Sequence, residues 1–291
     1  MDRPILPPNF ILDPWLTQWL REDLGRGDRT TQALFSPGAS PLGVAEVRLK
    51  QSGVIAGLPI ALRVFELLDP QIIAENVVSE GGYHRAGDRL ATVTGPVSVL
   101  LSAERVALNL LMRLSGIATL TQAYQAKIAD LSAQLVDTRK TTPGLRVLEK
   151  YAIQVGGGKN HRFGLDDALM LKDNHIAAAG GLGPAIAQVR QSAPYPLSLE
   201  VETETLDQVQ EAVSHGADII MLDNMTPDLM RKAVQLIRIR SPQTKIEASG
   251  NVTLENIRTV AQTGVDFIST SAPITQATWL DISLKFLAQG R

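Results

Sequence analysis

The sequence predicts an α/β protein in which an N-terminal α+β domain precedes an incomplete (β/α) barrel. Strand-like segments are grouped in roughly the first hundred residues, and a long helical segment follows them. Short apolar runs then alternate with amphipathic helices at a spacing of about 20–30 residues, which is typical of a parallel sheet. The chain has 291 residues, 44% of them hydrophobic, so one or two domains with a substantial core are expected.

The first part of the chain has mixed helix and strand patterns. Residues 1–14 contain four prolines and predict an irregular arm, and residues 15–25 predict a short helix. Residues 43–57 and 72–101 alternate in polarity and contain glycines, so both are predicted as strands separated by turns, with a helix over 59–68. Strands grouped with few helices indicate a mostly antiparallel sheet.

A long helix is predicted over 102–131, with Ser102 as its N-cap and Gly116 as a point of kinking or division. Six apolar runs then predict the strands of the barrel. An open doubly wound sheet is the alternative, because eight strands normally need about 250 residues. The runs cover residues 133–139, 168–174, 196–203, 217–224, 244–251 and 265–271.

Polar residues end each of these six runs. A strand that leaves the core becomes polar for that reason alone, but six such ends in series favour a functional site, because barrel strands converge on the active site at their C-terminal ends. The residues are Asp137, Thr138, Arg139, Lys140, Lys172, Asp173, Glu200, Glu202, Asp223, Asn224, Glu247, Ser249, Ser269 and Ser271.

Cationic side chains are concentrated near the first two of these strand ends. Converging like charges repel one another unless an anion is present, and arginine binds carboxylates and phosphates through two parallel hydrogen bonds. We therefore expect a small polyanionic substrate, with Lys159 as the member that faces solvent. The cations are Arg105, Arg139, Lys140, Lys159, Arg162 and Lys172.

Acidic and small polar residues lie at the later strand ends. Glu200 and Glu202 fall on the same face of one strand, and Asp223 ends the next. Carboxylates beside a polyanion suggest a ligand with phosphates, hydroxyls and Mg²⁺, although either glutamate could instead be the buried partner of a lysine. The turn over 247–251 and the hydroxyls of 268–271 are suited to bind phosphate.

Composition excludes several other classes of site. The chain has no cysteine, so it forms no disulfide, and its four scattered histidines argue against zinc. The net charge of −2 predicts no nucleic-acid partner. Without an apolar signal segment or an 18-residue apolar stretch, we expect a cytoplasmic protein with no membrane association.

Residues 155–164, VGGGKNHRFG, suggest a nucleotide loop but fit no nucleotide motif. Ile153 stands where a Walker A loop needs glycine, Asn160 follows the lysine, and the preceding residues KYAIQ are helical rather than strand-like. The glycines therefore predict a flexible loop that presents His161 and Arg162 just before the strand that carries Lys172.

Several motifs together resemble quinolinate phosphoribosyltransferase, an enzyme family also called nicotinate-nucleotide pyrophosphorylase (carboxylating). The resemblance spans most of the chain, with the motifs in order and at family-like spacing. The motifs are LREDLGRGDRTT (20–31), ERVALNLLMRLSGIAT (104–119), DTRKTTPGLR (137–146), GGGKNHRFGLDD (156–167), LMLKDNHI (169–176), LEVET (199–203), IIMLDN (219–224) and IEASGN (246–251).

The resemblance implies a fold and a reaction. The fold is an N-terminal α/β sandwich over 1–115, completed by 277–291, and an incomplete α/β barrel over 116–276 of the type II phosphoribosyltransferase kind. The reaction converts quinolinate and phosphoribosyl pyrophosphate, with Mg²⁺, into nicotinate mononucleotide, pyrophosphate and CO₂ in de novo NAD biosynthesis. A homodimer with shared active sites, or a higher assembly of such dimers, is also implied.

The resemblance further assigns roles to individual residues. Lys140, Lys172, Glu202 and Asp223 are implied as catalytic, with the last two near the metal, and Arg105 is implied to reach the site of a neighbouring subunit. Ser271 departs from the family, which commonly has glycine there, and Pro273 follows it. The residues implied to bind quinolinate are Arg105, Thr138, Arg139, His161, Arg162 and Lys172. The residues implied to bind phosphate are Ser249, Gly250, Asn251, Ser269 and Ser271.

Three other functions stay open at this stage. A related transferase with another substrate is possible, but a monocarboxylate would not need so many cations. A Schiff-base aldolase could use Lys172 as its nucleophile. A non-catalytic phosphate-binding protein fits poorly with the acidic residues at the strand ends.

Overall fold

The structure is a computed structural model that describes residues 4–36 and 38–287. The strands within these ranges are β1 (Leu42–Leu49), β2 (Gly53–Val54), β3 (Ile73–Glu75), β4 (Tyr83–His84), β5 (Arg89–Pro96), β6 (Gln134–Val136), β7 (Leu169–Leu171), β8 (Leu199–Thr203), β9 (Ile219–Asp223), β10 (Lys245–Ser249), β11 (Phe267–Ser269) and β12 (Ile282–Phe286). The helices are α1 (Asn9–Leu24), α2 (Arg29–Leu34), α3 (Leu58–Leu68), α4 (Val97–Lys127), α5 (Arg146–Val155), α6 (Asp173–Ala178), α7 (Leu182–Ser192), α8 (Leu206–Ser214), α9 (Pro227–Arg240), α10 (Ile257–Ala261) and α11 (Ala272–Thr275).

The chain divides into two compact units. The first contains the residues up to Leu120, the segment Val147–Gly157 and the residues from Ala277 onward, and the second contains Thr121–Arg146 and Gly158–Gln276. The first unit therefore includes most of α5, which interrupts the second unit along the chain. The domain boundaries drawn from the sequence at 115/116 and 276/277 remain predictions.

The first unit is built on a four-stranded antiparallel sheet in the order β12-β1-β5-β3. β12 pairs along β1, with Ala45 opposite Phe286 and Leu49 opposite Ile282, although about 230 residues separate the two strands. Apolar side chains from β1, β5 and α3 are buried in this unit, among them Val47, Val93 and Phe65. The predicted antiparallel sheet is confirmed.

The prediction of an irregular arm over residues 1–14 is wrong, because α1 begins at Asn9. Leu12, Leu16 and Leu20 recur every four residues and are almost completely buried, so one apolar stripe runs along the helix. Pro14 lies within the second turn, where it removes only one intrahelical hydrogen bond. Burial of the stripe outweighs that loss.

The long helix also begins earlier than predicted. α4 starts at Val97, so residues 97–101 are helical rather than strand, and Ser102 lies inside the helix, where its hydroxyl bonds Asp28 at 3.3 Å. Gly116 does not divide the helix. A Cβ there would lie 2.0 Å from the carbonyl oxygen of Thr278, so the glycine permits a close backbone approach. None of the helices in the described ranges combines the length and apolar character required to span a bilayer.

The second unit is built on a six-stranded parallel sheet in the order β6-β11-β10-β9-β8-β7. Each strand from β7 to β10 pairs with the next along the chain, and β6 pairs with β11, while the described pairings include none between β6 and β7. A doubly wound sheet would reverse direction from a central strand. The incomplete barrel is therefore confirmed and the alternative is wrong.

Candidate active site

A cavity of about 740 Å³ opens at the C-terminal ends of the barrel strands. Its volume lies in the range of small-molecule binding sites, and every residue that lines it belongs to the second unit. Thirteen of the fourteen predicted site residues line it. They are Thr138, Arg139, Lys140, His161, Arg162, Lys172, Glu202, Asp223, Ser249, Gly250, Asn251, Ser269 and Ser271.

Arg105 is the predicted site residue that does not line this cavity. It lies on α4 in the first unit, and 61% of its side chain is exposed. Its ion pair is with the adjacent Glu104, at 3.9 Å, which leaves the guanidinium largely open to solvent. Its predicted role in a neighbouring subunit's site remains a prediction.

Two arginines give one side of the cavity its positive charge. Arg162 donates to the carbonyl oxygen of Ala168 at 2.8 Å, and its pKa is lowered chiefly by burial and further by the nearby positive charge of Arg139. Among the described residues, Arg139 forms no ion pair with a carboxylate. The charges of Glu200 and Asp167 oppose the lowering of the Arg162 pKa only in part. Two neighbouring guanidinium groups without an ion-paired carboxylate favour an anion between them.

The glycine-rich loop is held by its backbone rather than shaped around a phosphate. Lys159 forms a parallel bridge to Val136 beside β6, and its side chain is exposed, as predicted. The buried Asp137 accepts hydrogen bonds from the Asn160 amide at 2.6 Å and from the backbone N–H of His161 at 2.8 Å. These contacts set the position from which the loop presents Arg162 to the cavity.

Arg146 joins the two loops that carry the arginines, and the sequence analysis missed it. Its guanidinium donates to the carbonyl oxygen of Phe163 at 2.9 Å, next to Arg162. It also donates to the carbonyl oxygen of Arg139 at 3.4 Å and to the Thr141 hydroxyl at 3.1 Å. The side chain therefore fixes the spacing between the two cationic loops.

Acidic side chains also line the cavity. Lys172 forms a close ion pair with Glu202, and a proton-bearing ammonium in such a pair is a poor Schiff-base nucleophile. Asp223 accepts a hydrogen bond from the Asn224 side chain at 2.7 Å and is half-buried. Both carboxylates are on neighbouring strands, β8 and β9, and both line the cavity.

A second pair of carboxylates is almost completely buried. Glu200 and Glu247 are 2% and 3% exposed, and their carboxylates lie 3.0 Å and 3.6 Å from Nε2 of His161. The three groups resemble a metal-ligand set, since their candidate ligand atoms all lie within 4.8 Å. However, Nδ1 of His161 accepts the backbone N–H of Arg162 at 2.8 Å, so Nε2 carries the ring proton and is unsuited to bind a cation.

The turn after β10 has the shape of a small polar cradle. Gly250 has a φ of 90°, and a Cβ there would lie 2.1 Å from the side-chain oxygen of Asn224, so only glycine fits. Asn251 also has a positive φ, and its amide donates to the same Asn224 oxygen at 3.0 Å. Ser271, by contrast, has a φ of −86°, so serine adopts this backbone without strain.

Glu247 and Asn224 also line the cavity, but the sequence analysis assigned them no role. A signal was available, because Glu247 and Ser249 share one strand face just as Glu200 and Glu202 do. The pairing of Glu200 with His161 could not be found in this way, because it depends on the position of a loop from another part of the chain.

The fold and the cavity together define a barrel protein whose site combines unpaired arginines, carboxylates and small polar turns for a polyanionic small molecule. Comparison with known proteins identifies the family. Residues 28–115 match the N-terminal domain of quinolinate phosphoribosyl transferase, and residues 117–285 match its C-terminal domain. The chain belongs to the quinolinate phosphoribosyltransferase family.

Named relatives cover almost the whole chain. A probable nicotinate-nucleotide pyrophosphorylase [carboxylating] of Synechocystis sp. is 56% identical over 97% of this chain and 95% of its own length. The nicotinate-nucleotide pyrophosphorylase [carboxylating] of Mycobacterium leprae is 41% identical, over 91% of this chain and 93% of its own length.

Solved structures share the fold. The crystal structure of NadC from Streptococcus pyogenes has a TM-score of 0.91 and 41% identity, covering 98% of this chain and all of that one. The nicotinate-nucleotide pyrophosphorylase of Francisella tularensis has a TM-score of 0.90 and 34% identity, covering 99% of this chain and all of that one.

Proposed function

We propose that the chain transfers the phosphoribosyl group of phosphoribosyl pyrophosphate to quinolinate with loss of CO₂. The products are nicotinate mononucleotide and pyrophosphate, and the reaction belongs to de novo NAD biosynthesis, which we place in the cytoplasm. The observation that carries the proposal is the pair Arg139 and Arg162, two neighbouring guanidinium groups that both line the cavity and form no ion pair with a carboxylate within the described residues. A planar dicarboxylate would supply both charges that this pair lacks.

The dicarboxylate is proposed to bind on the arginine side of the cavity. Arg139 and Arg162 would each bind a carboxylate, and Thr138 and Lys172 would contribute further donors from the same lining. His161 borders this region, and its two ring nitrogens contact the backbone N–H of Arg162 and the buried glutamates. We therefore assign His161 two roles, which are to position the loop and to contact the substrate. Holding the pyridine ring of quinolinate in this way would aim its nitrogen at C1 of the ribose.

The phosphoribosyl group is proposed to bind along the acidic and small polar residues. The 5′-phosphate would lie against the turns that contain Ser249, Gly250 and Asn251 and the hydroxyls of Ser269 and Ser271. Lys140 would bind the pyrophosphate. Carbon–oxygen cleavage at C1 develops positive charge, which the carboxylates of Glu202 and Asp223 would stabilise.

A magnesium ion fits this donor set. Asp223 and Glu202 offer carboxylate oxygens, the ligands that Mg²⁺ prefers, on neighbouring strands beside the proposed phosphate site. When bound, the ion would supply positive charge that stabilises the departing pyrophosphate. Glu202 is ion-paired with Lys172, so Asp223 is the more readily available ligand.

The reaction itself tests the proposal. The protein is incubated with quinolinate, phosphoribosyl pyrophosphate and Mg²⁺, and nicotinate mononucleotide, pyrophosphate and CO₂ are measured in parallel. Nicotinate replaces quinolinate in the control, and we expect little or no product from it because it lacks the second carboxylate. Equal turnover of the two acids, or none of quinolinate, would refute the proposal.

We also propose a homodimer in which Arg105 completes the partner's site, supported by the exposure of its guanidinium. Arg105→Ala and Lys172→Ala should each be nearly inactive alone. Mixed under subunit exchange, they should regain about a quarter of wild-type activity, because half the dimers are mixed and each has one intact site. Failure to regain activity, with exchange verified by mass, would exclude shared sites.

A further inference from the structure

Arg146 does not line the cavity, although its hydrogen bonds go to the two loops that present Arg139 and Arg162 there. Within the described residues, its guanidinium donates to two backbone carbonyl oxygens and one hydroxyl, and it forms no ion pair with a carboxylate. A guanidinium has several donors in one rigid plane, so it can hold acceptors from different segments at fixed positions. Neutral acceptors in two loops indicate a role in geometry rather than in charge pairing.

On the first loop, Arg146 holds the turn that contains Arg139. Its Nε donates to the Thr141 hydroxyl at 3.1 Å, and its Nη2 donates to the carbonyl oxygen of Arg139 at 3.4 Å. The backbone N–H of Thr141 donates to the same carbonyl oxygen at 3.0 Å, so the turn is closed on itself. Within the described residues, the Arg139 guanidinium forms no hydrogen bond of its own. The backbone that Arg146 holds therefore determines where this guanidinium is presented.

On the second loop, Arg146 holds the residue that follows Arg162. Its Nη1 donates to the carbonyl oxygen of Phe163 at 2.9 Å. The backbone N–H of Phe163 donates to the Asp167 carboxylate at 2.8 Å, and the Arg162 guanidinium donates to the carbonyl oxygen of Ala168 at 2.8 Å. These two contacts close the segment 162–168 on itself. A bond to Phe163 therefore fixes Arg162 as well.

A separate contact joins the same two loops closer to the sheet. Asp137, directly after β6, accepts hydrogen bonds from the Asn160 amide at 2.6 Å and from the backbone N–H of His161 at 2.8 Å. Loss of the Arg146 side chain would leave this contact in place, so the barrel is expected to fold without it. The outer parts of the loops, which carry the two guanidinium groups, would then be free to move apart.

We propose that Arg146 is a positioning residue that sets the separation of the two cavity guanidinium groups and thereby selects a substrate whose two carboxylates are adjacent. The inference rests on the proposed function, because it takes the substrate to be a dicarboxylate. The carboxylates of quinolinate are on neighbouring ring carbons, so two arginines bind both of them only at a fixed spacing. A displacement of about 1 Å can lower a rate by about 100-fold even when the substitution lies far from the chemistry.

Arg146→Lys separates geometry from charge. Lysine keeps the positive charge, but its single ammonium group cannot hold acceptors in both loops at once. We expect kcat/KM for quinolinate to fall by about tenfold or more, while KM for phosphoribosyl pyrophosphate stays within about twofold of the wild type. Steady-state kinetics with each substrate varied in turn measures both. Wild-type kinetics in Arg146→Lys would show that the charge alone matters and would overturn the inference.

The preference between isomers is a measurement that a loss of stability alone would not change. Pyridine-2,5-dicarboxylate has its carboxylates on opposite sides of the ring, and calorimetry compares its Kd with that of quinolinate. The wild type should bind quinolinate at least about tenfold more tightly, and Arg146→Lys should lose most of that preference. Thr141→Val removes one acceptor of Arg146 and keeps the size of the side chain, so it should lower the preference by about threefold and provides the test if Arg146→Lys does not fold. An unchanged preference in the folded variants would overturn the inference.

Arg238→Lys is the matched control, because Arg238 also joins two segments of the barrel. It donates to the carbonyl oxygen of Thr244 at 3.0 Å and to the Asp266 carboxylate at 2.8 Å, just before β10 and β11 and so at the opposite end of the strands. This variant should keep the wild-type preference, whatever its effect on urea unfolding. Loss of the preference here too would mean that general loosening causes it, and would overturn the inference. A wild type that does not turn over quinolinate would overturn the proposed function as well.

Discussion

Buried and half-buried carboxylates in the two units differ in how completely they are hydrogen-bonded. In the first unit, Glu46 accepts from Arg48 at 2.7 Å and from Arg89 at 3.3 Å, one on each oxygen. Glu80 accepts the backbone N–H groups of Gly57 and Leu58 at 2.7 and 2.9 Å. In the second unit, Glu200 and Glu247 each keep an oxygen without a partner among the described residues.

The difference separates acids whose oxygens all have donors from acids that keep one oxygen without a donor. Glu80 satisfies the first N–H groups of α3, which otherwise have no acceptor, and the Tyr151 hydroxyl donates to it as well, at 2.7 Å. At Glu247 the balance is the opposite, because burial and the charge of Glu200 raise its pKa more than His161, Ser269 and Lys172 lower it. The same contrast applies to the cations, because Arg146 donates to two carbonyl oxygens and a hydroxyl, while Arg139 forms no ion pair among the described residues.

The largest expected effect comes from an unpaired cation. Arg139→Ala should lower kcat/KM for quinolinate by about 100-fold or more, since it removes a charge-assisted pair worth about 3 kcal/mol. Steady-state kinetics with varied quinolinate measures the change. Arg240→Ala, at an exposed position on α9, is the matched control and should leave kcat/KM unchanged. Unchanged kinetics in Arg139→Ala would remove that residue from the substrate site.

A second prediction concerns stability and pH. Because the pKa of Glu247 is raised to about 7 in the folded protein, the folded state binds more protons than the unfolded state between about pH 4.5 and 7. The free energy of unfolding should therefore fall as pH rises through that window. Glu247→Gln should abolish this loss and be more stable than the wild type at pH 8, by roughly 3 kcal/mol at most.

Urea unfolding at pH 5 and pH 8 measures this effect, with Glu204→Gln as the control. The two proteins should be similar in stability at pH 5, where the wild-type carboxyl is protonated. A wild type that is more stable than Glu247→Gln at pH 8 would mean that the carboxylate is satisfied after all, and the contrast between the two units would fail.

The smallest effect should come from a satisfied acid of the first unit, and it should have the opposite sign. Glu80→Ala should destabilise the protein by about 2 kcal/mol, because it leaves the first N–H groups of α3 without an acceptor. Urea unfolding at pH 7 measures the change, and Glu75→Ala, an exposed position on β3, should have almost no effect. No loss of stability in Glu80→Ala would show that complete hydrogen bonding does not mark a structural acid here.

The barrel and most of the cavity could be predicted because their signals are local. A short apolar run followed by a polar end defines a strand and its contribution to the site, and all six predicted barrel strands are present. The start of α4 was wrong because the apolar run 97–101 fits a helix as well as a strand. The predicted start of α1 was wrong because the stripe of buried leucines begins at Leu12, within the segment predicted as an arm.

Long-range partners could not be predicted in the same way. The contact between His161 and Glu200 depends on Asp137 holding the loop, which joins residues about 24 positions apart in sequence. The role of Arg146 depends on carbonyl oxygens in two loops, and any residue type presents a carbonyl. Such contacts depend on backbone positions that the residue pattern does not encode.

The pairing of β12 with β1 has a consequence for biosynthesis. Residues 282–286 leave the ribosome only after the whole second unit has been made, so β1 spends that interval with one edge of its backbone unpaired. An open strand edge is a template for intermolecular association. The first unit therefore completes its sheet only after every strand of the second unit has been made, and until then the open edge of β1 is a site at which nascent chains can associate.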